Sequence, residues 1–293
     1  MKSKKKFAHS KIGQNFLIDG NIAMYMCRKA TVGPNDIIME IGPGKGMLTR
    51  HLLDAVPHRL FAIEIDRRFS TELSPLERQN PNFEIIWSDA LNMTCSMFSD
   101  VSPNKIVANI PYQITTDLLW MLLEKAAPMG AAYFLLMVQK EAAERLLASP
   151  GTRSSNPLSV TLAKMGSSSL VKDVPPEAFW PRPKVQSAIL EIRLDLPCFL
   201  EKKKKWRNFV EASYRQRRKT LLNNLVHGLH LERELVLRWF SKMGIGAKQR
   251  AEEIKADVWD ALHEEWCKSG GRNLDRYARR DSSRNLENGK DDS

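Results

Sequence analysis

The sequence has few cysteines and no long apolar run, and each absence removes a class of protein. The four cysteines among 293 residues lie at least 68 residues apart, so they form no C-x-x-C pair of a zinc site and no disulfide framework. The best candidate for an apolar run, residues 126–139, has 14 residues, whereas a bilayer-spanning helix needs about 20. Residues 7–15 are too polar for the apolar part of a signal peptide. We therefore expect a cytoplasmic protein with reduced thiols, no metal and no membrane segment.

Positive charge is concentrated in two segments rather than spread along the chain. The formal net charge is +11, from 45 basic and 34 acidic residues. Residues 1–11 contain five lysines and no acid, and residues 201–230 contain nine basic and two acidic residues, so the rest of the chain sums to −1. This distribution is typical of a protein that binds a phosphate backbone. Solvated faces that keep the protein soluble would give the same composition.

Short β-branched runs alternate with segments of helical periodicity in the first two thirds of the chain. Strands are predicted at residues 36–41, 60–65, 83–87, 105–108, 133–138 and 187–192. Helices are predicted at residues 46–55, 67–76, 115–125 and 140–148. The alternation predicts an α/β fold with a mostly parallel, doubly wound sheet. Beyond residue 193 only helices are predicted, at residues 206–225, 232–243 and 257–267, which indicates a small α-helical second domain.

A glycine-rich loop follows the first predicted strand. Its sequence, Glu-Ile-Gly-Pro-Gly-Lys-Gly over residues 40–46, has the spacing G-x-G-x-G rather than the G-x-G-x-x-G of dinucleotide-binding loops. The acid Glu40, two residues before Gly42, would repel a pyrophosphate but would attract an ammonium group. S-adenosylmethionine (SAM) carries such a group, so the loop favours SAM over a dinucleotide. A glycine turn without a ligand is the alternative.

Acidic residues follow the next two strands. Glu64, at the end of the second strand, could accept hydrogen bonds from both ribose hydroxyls of a nucleoside cofactor, and Asp66 is close enough to compete for this role. Asp89, followed by Ala90 after the third strand, could accept a hydrogen bond from the adenine amine. A helix-capping aspartate would have the same position in the sequence.

The motif Asn109-Ile110-Pro111-Tyr112 ends the fourth strand and is the most specific signal. The lone pair of an exocyclic amine on a base is delocalised into the ring, which makes the nitrogen a poor nucleophile. Acceptance of both N–H bonds by the Asn109 side chain and the Ile110 carbonyl would draw the nitrogen towards a tetrahedral form. Pro111 stiffens the loop, and Tyr112 offers a face for the base. An ordinary proline turn with a core tyrosine is the alternative.

Two further segments indicate contacts with RNA. A proline-rich stretch, residues 174–185, carries Phe179 and Trp180, which could enclose a flipped base from the side opposite Tyr112. Hydrophobic packing is the alternative for at least one of these two rings. Residues 214–225 are predicted to be helical, with leucines towards the core and a basic outer surface for RNA phosphates, formed by Arg215, Arg217, Arg218 and Lys219.

Taken together, these motifs resemble the small-subunit ribosomal RNA adenine dimethyltransferases, the kasugamycin-resistance family. The resemblance also includes residues 14–19, 139–141, 150–151, 158–160 and 215–221. It runs in family order from residue 11 to about residue 265.

The resemblance implies a class I SAM-dependent methyltransferase, Rossmann-like with a mostly parallel seven-stranded sheet, followed by the helical domain. The implied activity is dimethylation of the N6 amines of two adjacent adenosines in the 3′-terminal hairpin of small-subunit ribosomal RNA. The implied partners are this RNA and the small-subunit precursor, bound by a monomer. The implied division is a basic, cofactor-covering segment at 1–20, a methyltransferase domain at 21–195, an RNA-binding domain at 196–270 and a disordered tail at 271–293.

The same resemblance implies a role for each site residue. Asn15 and Leu17 would cover SAM, and Glu64 and Asp89 would hold its nucleoside. Asn109 would touch both SAM and the target amine, between Tyr112 and Phe179 on either side of the base. The implied cofactor contacts also include Gly42, Gly44 and Ala90.

The sequence departs from the family pattern in two loops. Ile110 and Gln113 replace the usual leucine and asparagine, but they remove neither the carbonyl nor the stacking face. Residues 154–157, Ser-Ser-Asn-Pro, replace Lys-x-Tyr-Gly, which puts an RNA contact of that tyrosine in doubt.

Other proteins share part of this pattern. The erythromycin-resistance methyltransferases, which modify a large-subunit adenosine, share Asn-Ile-Pro-Tyr. A non-catalytic RNA-binding or assembly factor, or a mitochondrial transcription factor descended from such enzymes, would share the fold. The intact Asn109, Pro111 and Tyr112 favour an enzyme over these factors.

Overall fold

The computed structural model describes residues 15–98 and 101–270, and only the backbone of residues 196–204. The expected basic arm before Asn15 and the expected tail at 271–293 lie outside the described residues. The described chain forms two compact units, one from residues 15–147 and 165–196, the other from residues 148–164 and 197–270.

A seven-stranded sheet forms the centre of the first unit. A two-residue strand, β1 (Phe16–Leu17), precedes the sheet and pairs with another, β8 (Phe179–Trp180). The sheet itself contains β2 (Ile37–Ile41), β3 (Arg59–Glu64), β4 (Phe83–Trp87), β5 (Lys105–Asn109), β6 (Tyr133–Gln139), β7 (Gly166–Val174) and β9 (Ser187–Leu194). Their order is β4-β3-β2-β5-β6-β9-β7. Within this sheet β9 runs in the direction opposite to the other six strands. The predicted mostly parallel sheet is confirmed.

Five helices belong to the first unit: α1 (Gly20–Lys29), α2 (Met47–Asp54), α3 (Ser70–Gln79), α4 (Thr115–Met121) and α5 (Lys140–Leu146). The central strands are almost continuous apolar runs, which is the pattern of a sheet covered on both faces. The chain from Leu122 to Ala126 continues α4 as a π-helical turn. None of the helices in the described ranges is long and apolar enough to cross a membrane.

The sequence analysis did not predict the short strands β1 and β8, the helix α1 or the edge strand β7. The helix α1 begins after Asp19, whose carboxylate accepts a 2.8 Å hydrogen bond from the Asn21 backbone. The edge strand β7 reads Gly-Ser-Ser-Ser-Leu-Val-Lys-Asp-Val and is mostly exposed, so it lacks the apolar alternation by which the other strands were recognised.

The second unit is helical, as predicted. It consists of α6 (Pro157–Lys164), α7 (Leu196–Tyr214), α8 (Leu221–Gly228), α9 (Arg233–Met243) and α10 (Ala256–Lys268). Its core is aromatic, with Phe209 stacked on Trp266 at 5.5 Å between ring centroids. The predicted domain boundaries place residues 157–164 in the first domain, 21–195, and no helix is predicted there. In the structure the Trp206 indole donates a 2.9 Å hydrogen bond to Thr161 of α6, and α6 belongs to the helical unit.

The prediction of one helix over residues 206–225 is wrong, because the chain turns between α7 and α8. Thr220 caps α8 by accepting a hydrogen bond from the Asn223 backbone at 3.2 Å. The buried Asn224 side chain accepts from the Gln216 backbone at 3.2 Å and donates to the Ser213 carbonyl at 2.8 Å. These side-chain bonds replace helical backbone bonds and stabilise the turn.

Candidate active site

The two most informative motifs follow neighbouring strands of the sheet. The glycine-rich loop follows β2 and the Asn-Ile-Pro-Tyr motif follows β5, and Ile41 of β2 pairs with Ala108 of β5. From β2 the chain proceeds through β3 to β4 on one side, and from β5 to β6 on the other. Ligands of doubly wound sheets bind at the carboxyl ends of strands at this change of direction. A cleft is present there, with a volume near 660 Å³ including its mouth, and its lining includes both motifs.

The glycine loop needs its glycines because the backbone is left-handed at all three. The φ angles of Gly42, Gly44 and Gly46 are +68°, +54° and +76°. Residues other than glycine rarely adopt such values. A Cβ atom on Gly44 would also lie 3.2 Å from the Phe16 ring. The loop therefore presents bare backbone to the cleft, directly before α2.

Glu40 lies at the floor of the cleft and is almost fully buried. Burial raises the pKa of its carboxyl to about 8; the nearby Thr49 hydroxyl opposes this shift, and the negative charge of Glu64 adds to it. Among the described residues, its Oε2 atom has no hydrogen-bond partner. A buried acceptor without a donor is costly, so this carboxylate is suited to a cationic group in the cleft.

Glu64 ends the neighbouring strand β3 and is held by backbone N–H groups. Oε2 accepts from Gly44 at 3.0 Å and Oε1 accepts from Asp66 at 2.8 Å. Burial raises its pKa, and these two hydrogen bonds oppose the shift. Each oxygen keeps a lone pair for a further donor. The side chain of the rival residue Asp66 instead pairs with Arg68 and accepts from its backbone N–H at 3.0 Å.

Asn109 ends β5, and its side-chain orientation is fixed from the opposite wall of the cleft. The Nδ2 atom donates a 3.3 Å hydrogen bond to the backbone carbonyl of Asn15. Because a carbonyl only accepts, the amide nitrogen faces Asn15 and the Oδ1 atom remains as an acceptor. The next residue, Ile110, is buried, and its backbone N–H donates to Met137 of β6 at 3.0 Å. The motif is therefore anchored to the sheet on one side and to the N-terminal segment on the other.

Tyr112 lies half-buried at the end of the motif. Its hydroxyl forms a 2.6 Å hydrogen bond with the hydroxyl of Ser187, the first residue of β9. Burial raises the pKa of the Tyr112 phenol, and the Ser187 bond opposes the shift. The ring is thus fixed at the cleft as a neutral phenol.

The N-terminal segment forms the outer wall of the cleft. Asn15 and Leu17 line it, as expected for residues that cover a cofactor. This segment is held by pairing of β1 with β8 and by a 2.8 Å hydrogen bond from the Ile18 backbone to the Ala178 carbonyl.

The two aromatic residues of β8 have opposite environments. Phe179 is 2% exposed and belongs to the hydrophobic core of the first unit, whereas Trp180 is 60% exposed. Successive side chains of a strand point to opposite faces, so one ring is inside and the other outside. Phe179 is not among the residues that line the cleft, and the alternative of hydrophobic packing is observed for this ring. Its assignment to the target base stays a prediction.

Asp89 and Ala90 follow β4 but do not line the cleft next to Glu64. Asp89 caps the short 3₁₀ helix that Ala90 begins, because its Oδ1 accepts from the Leu91 backbone at 3.0 Å. Only one of its two carboxylate oxygens is used in this contact. Ala90 is buried. The capping alternative is thus observed, and the adenine contact stays a prediction.

Similarity to known proteins decides the family. The family model described as ribosomal RNA adenine dimethylase matches residues 5–266. The ribosomal RNA small subunit methyltransferase A of Desulfitobacterium hafniense is 35% identical over 258 residues, which cover 88% of this chain and 91% of that relative. The protein of the same name from Nitratidesulfovibrio vulgaris strain Hildenborough is 36% identical over 88% of this chain and 96% of the relative. The chain belongs to the ribosomal RNA adenine dimethylase family.

Solved structures with this fold agree with the family. A dimethyladenosine transferase from Plasmodium falciparum has a TM-score of 0.72 and 24% identity, and covers 88% of this chain and 100% of that chain. The 23S rRNA methyltransferase ErmE has a TM-score of 0.64 and 26% identity, over 86% of this chain and 99% of that chain. The seven-stranded sheet is thus the Rossmann-like sheet of SAM-dependent methyltransferases, and the cofactor of this dimethylase family member is SAM.

The cleft residues fit SAM by their own chemistry. The unpartnered, buried oxygen of Glu40 is suited to the ammonium group of the methionine part. The two oxygens of Glu64 can accept from a pair of ribose hydroxyls while they keep their backbone donors. The left-handed turns at Gly42 and Gly44 keep side chains out of the space between these acids.

The predicted RNA-binding residues of the second unit lie on the turn between α7 and α8, not on a helix. Arg215, Arg218 and Lys219 are exposed. Arg217 is exposed as well, but it also forms a 3.1 Å ion pair with Glu252 and donates to the Arg153 carbonyl at 2.7 Å. The turn therefore presents four cations to solvent, and Arg217 is the one that also contacts neighbouring segments of the helical unit.

The structure adds residues that the sequence analysis missed. Phe16 and Lys45 line the cleft, Ser187 fixes Tyr112, and Ile65 is an apolar residue, half-exposed, directly after Glu64. Lys45 belongs to the glycine-loop motif and Phe16 to the N-terminal motif, so the sequence contained a signal for both residues. Ser187 had no signal, because its role depends on contact with a residue 75 positions earlier.

Proposed function

We propose that this family member transfers methyl groups from SAM to the N6 amines of two adjacent adenosines in the 3′-terminal hairpin of small-subunit ribosomal RNA. It acts as a cytoplasmic monomer on the small-subunit precursor during assembly. The observation that carries the proposal is the fixed amide of Asn109, whose nitrogen is bound to the Asn15 carbonyl and whose oxygen is left as an acceptor in the cleft. The names of the curated relatives support the small subunit as the substrate.

Asn109 and Ile110 act on the target amine. The Oδ1 atom of Asn109 and the carbonyl of Ile110 accept its two N–H groups, which localises the lone pair on the nitrogen. Pro111 contributes no N–H that would compete for these acceptors. The amine is thereby oriented and made more nucleophilic at the moment of attack, which is where an enzyme gains rate.

The remaining cleft residues position the cofactor and the base. Bound SAM supplies a methyl group on a positively charged sulfur. Glu40 would pair with its ammonium group, Glu64 would bind the ribose and Asp89 would accept from the adenine amine. Tyr112 stacks on the target base, and its bond to Ser187 holds the ring in one orientation. Stacking of an extruded base on an aromatic ring is typical of enzymes that modify bases.

No strong general base is needed in this site. The proton of the amine becomes acidic only after the nitrogen has formed its fourth bond, and water can then remove it. A tyrosine phenol is protonated at neutral pH in any case, and burial raises the pKa of Tyr112 further. An asparagine side chain does not titrate. The site thus works by orientation and hydrogen bonding rather than by proton abstraction.

The experiment that tests the proposal uses three substrates. The full chain is incubated with methyl-labelled SAM and with small subunits whose adenosines are under-methylated, fully methylated small subunits, or large subunits. We expect label only in the under-methylated small subunits and two adjacent primer-extension stops near the 3′ end of their RNA.

Fully methylated small subunits are the matched control, because they differ only in the proposed target. Label and stops confined to the large subunit would contradict the proposal and assign the chain to the activity named for ErmE.

A further inference from the structure

Trp180 is an exposed tryptophan at the rim of the cleft. It is 60% exposed, whereas the other six tryptophans of the chain are buried or half-buried. A tryptophan contributes a large apolar area that a folded chain normally removes from water. The exposure of this one is therefore unusual and points to a binding partner.

The exposure of Trp180 is imposed by the strand that carries it. Phe179 is anchored in the core, and β8 pairs with β1 so that Trp180 lies opposite Phe16. Because side chains alternate along a strand, a buried Phe179 directs Trp180 outwards. The ring is thus displayed by a fixed backbone rather than by a loose loop.

Lys45 of the glycine loop adds a cation beside this ring. Its Nζ atom lies 5.4 Å from the ring centroid of Trp180 and 5.5 Å from that of Phe16. These distances are within the range of cation–π attraction. The rim thus joins an aromatic face to a positive charge, and a nucleotide offers the complementary pair, a base and a phosphate.

The rim is directly connected to the catalytic motif. Asn109 donates to the carbonyl of Asn15, Asn15 precedes Phe16, and Phe16 is the strand partner of Trp180. A nucleotide that flanks a target base held at Asn109 is therefore within reach of this rim, since flanking nucleotides contact the enzyme beside a flipped base.

We propose that Trp180 stacks on the base of a nucleotide that flanks the target adenosine, with Lys45 beside the phosphate of that nucleotide. This inference rests on the proposed function and deepens it, because it identifies a second RNA subsite in the same unit as the catalytic cleft. Phe16 supports Lys45 from its other side.

The test compares Trp180→Ala with Trp180→Phe in the full chain. Stacking of a base on an aromatic side chain predicts that Trp180→Ala raises the Kd for under-methylated small subunits roughly 5- to 150-fold. Trp180→Phe keeps an aromatic face and should change this Kd less than about threefold. The Kd for SAM, measured by calorimetry, should stay the same in both variants.

Ile18→Ala is the matched control, since Ile18 is also exposed on the N-terminal segment but has no aromatic face. It should leave both dissociation constants unchanged. One further measurement decides whether the partner of Trp180 is RNA or protein. The loss caused by Trp180→Ala should persist with protein-free small-subunit RNA; a loss restricted to intact subunits would indicate a ribosomal protein partner and overturn the inference.

A loss of SAM affinity in Trp180→Ala would also overturn the inference, because Trp180, Lys45 and Phe16 would then serve to hold the N-terminal segment over the cofactor. An unchanged affinity of Trp180→Ala for small subunits would overturn it as well. If the wild-type chain methylates small subunits while Trp180→Ala keeps its RNA affinity, only this inference fails. If the wild-type chain transfers no methyl group to small subunits, the proposed function itself fails.

Discussion

The cleft of the first unit and the basic turn of the second unit are built on opposite principles. The cleft consists of buried groups whose positions are fixed by backbone bonds: Glu64 held by two N–H groups, Asn109 held by the Asn15 carbonyl, and glycines in left-handed turns. The turn between α7 and α8 presents the long, exposed side chains of Arg215, Arg218 and Lys219. The rate of a chemical step depends on the orientation of the catalytic groups, whereas the affinity for phosphates depends mainly on the number of cations.

This difference predicts a separation of effects. A substitution in the cleft should change catalysis or SAM binding and leave the affinity for RNA nearly intact. A substitution in the basic turn should change the affinity for RNA and its salt dependence, and leave SAM binding intact.

The largest effect is expected for Asn109→Ala. Loss of a hydrogen bond that acts mainly in the transition state typically costs on the order of 10²- to 10³-fold in kcat. Alanine removes the Oδ1 acceptor and also the bond to Asn15. We expect methyl transfer to small subunits to fall by about this factor, with a Kd for the subunits within about twofold of wild type.

Asn21→Ala is the matched control for this variant, because it removes an exposed asparagine side chain at the start of α1. Single-turnover kinetics with labelled SAM measure the rate, and filter binding measures the affinity. Wild-type turnover in Asn109→Ala would remove this residue from the mechanism. A parallel loss of RNA affinity would break the separation between cleft and turn.

A smaller effect, on RNA binding alone, is expected for the double variant Arg218→Glu, Lys219→Glu. Both side chains are exposed, whereas Arg217 is avoided because its ion pair with Glu252 supports the turn. We expect the affinity for small subunits to fall on the order of 10- to 100-fold near 0.1 M salt, as electrostatic contacts dominate such binding. The slope of log K against log salt should become shallower by about two.

Arg233→Glu, Arg238→Glu is the control, since it reverses two charges on α9 of the same unit. SAM affinity should be unchanged in both double variants. An unaltered salt slope in the variant of the turn would locate the RNA surface elsewhere.

Local patterns predicted the parts of the molecule that depend on local physics. Strand ends, the glycine spacing and the motif at Asn109 could all be recognised in the sequence. Buried strands and left-handed turns require particular residue types at consecutive positions. From these the cleft and its acids followed. The sheet edge β7 has no such pattern, since its polar residues face solvent.

The missed features depend on long-range contacts. The break after Tyr214 depends on a side chain, Asn224, that lies on the following helix. The contrast between Phe179 and Trp180 depends on which face of β8 meets the core. The position of Ser187 against Tyr112 joins distant segments. Periodicity within a window cannot encode such contacts, because each needs the complete fold.

The last experiment measures a change of at most one bound proton. It tests whether Glu40 and Glu64, two buried acids of the same cleft, differ in their role. Burial raises the pKa of Glu40 to about 8, so this carboxyl is mostly protonated at pH 7 in the free protein. Pairing with the ammonium group of SAM favours the ionised form. SAM binding should therefore release close to one proton at pH 7 and almost none at pH 9, and the apparent affinity should fall by up to about tenfold per pH unit below 8.

Calorimetry in two buffers of different ionisation enthalpy measures this release. Glu40→Gln should lack it, and the difference between wild type and variant cancels the ionisation of the ligand itself. Equal proton release in both proteins, together with an unchanged affinity of Glu40→Gln for SAM, would show that Glu40 does not pair with the ammonium group. The ammonium group would then have to be held by another acceptor, and the buried oxygen of Glu40, without a partner among the described residues, would be a structural feature of the cleft floor rather than part of the cofactor site.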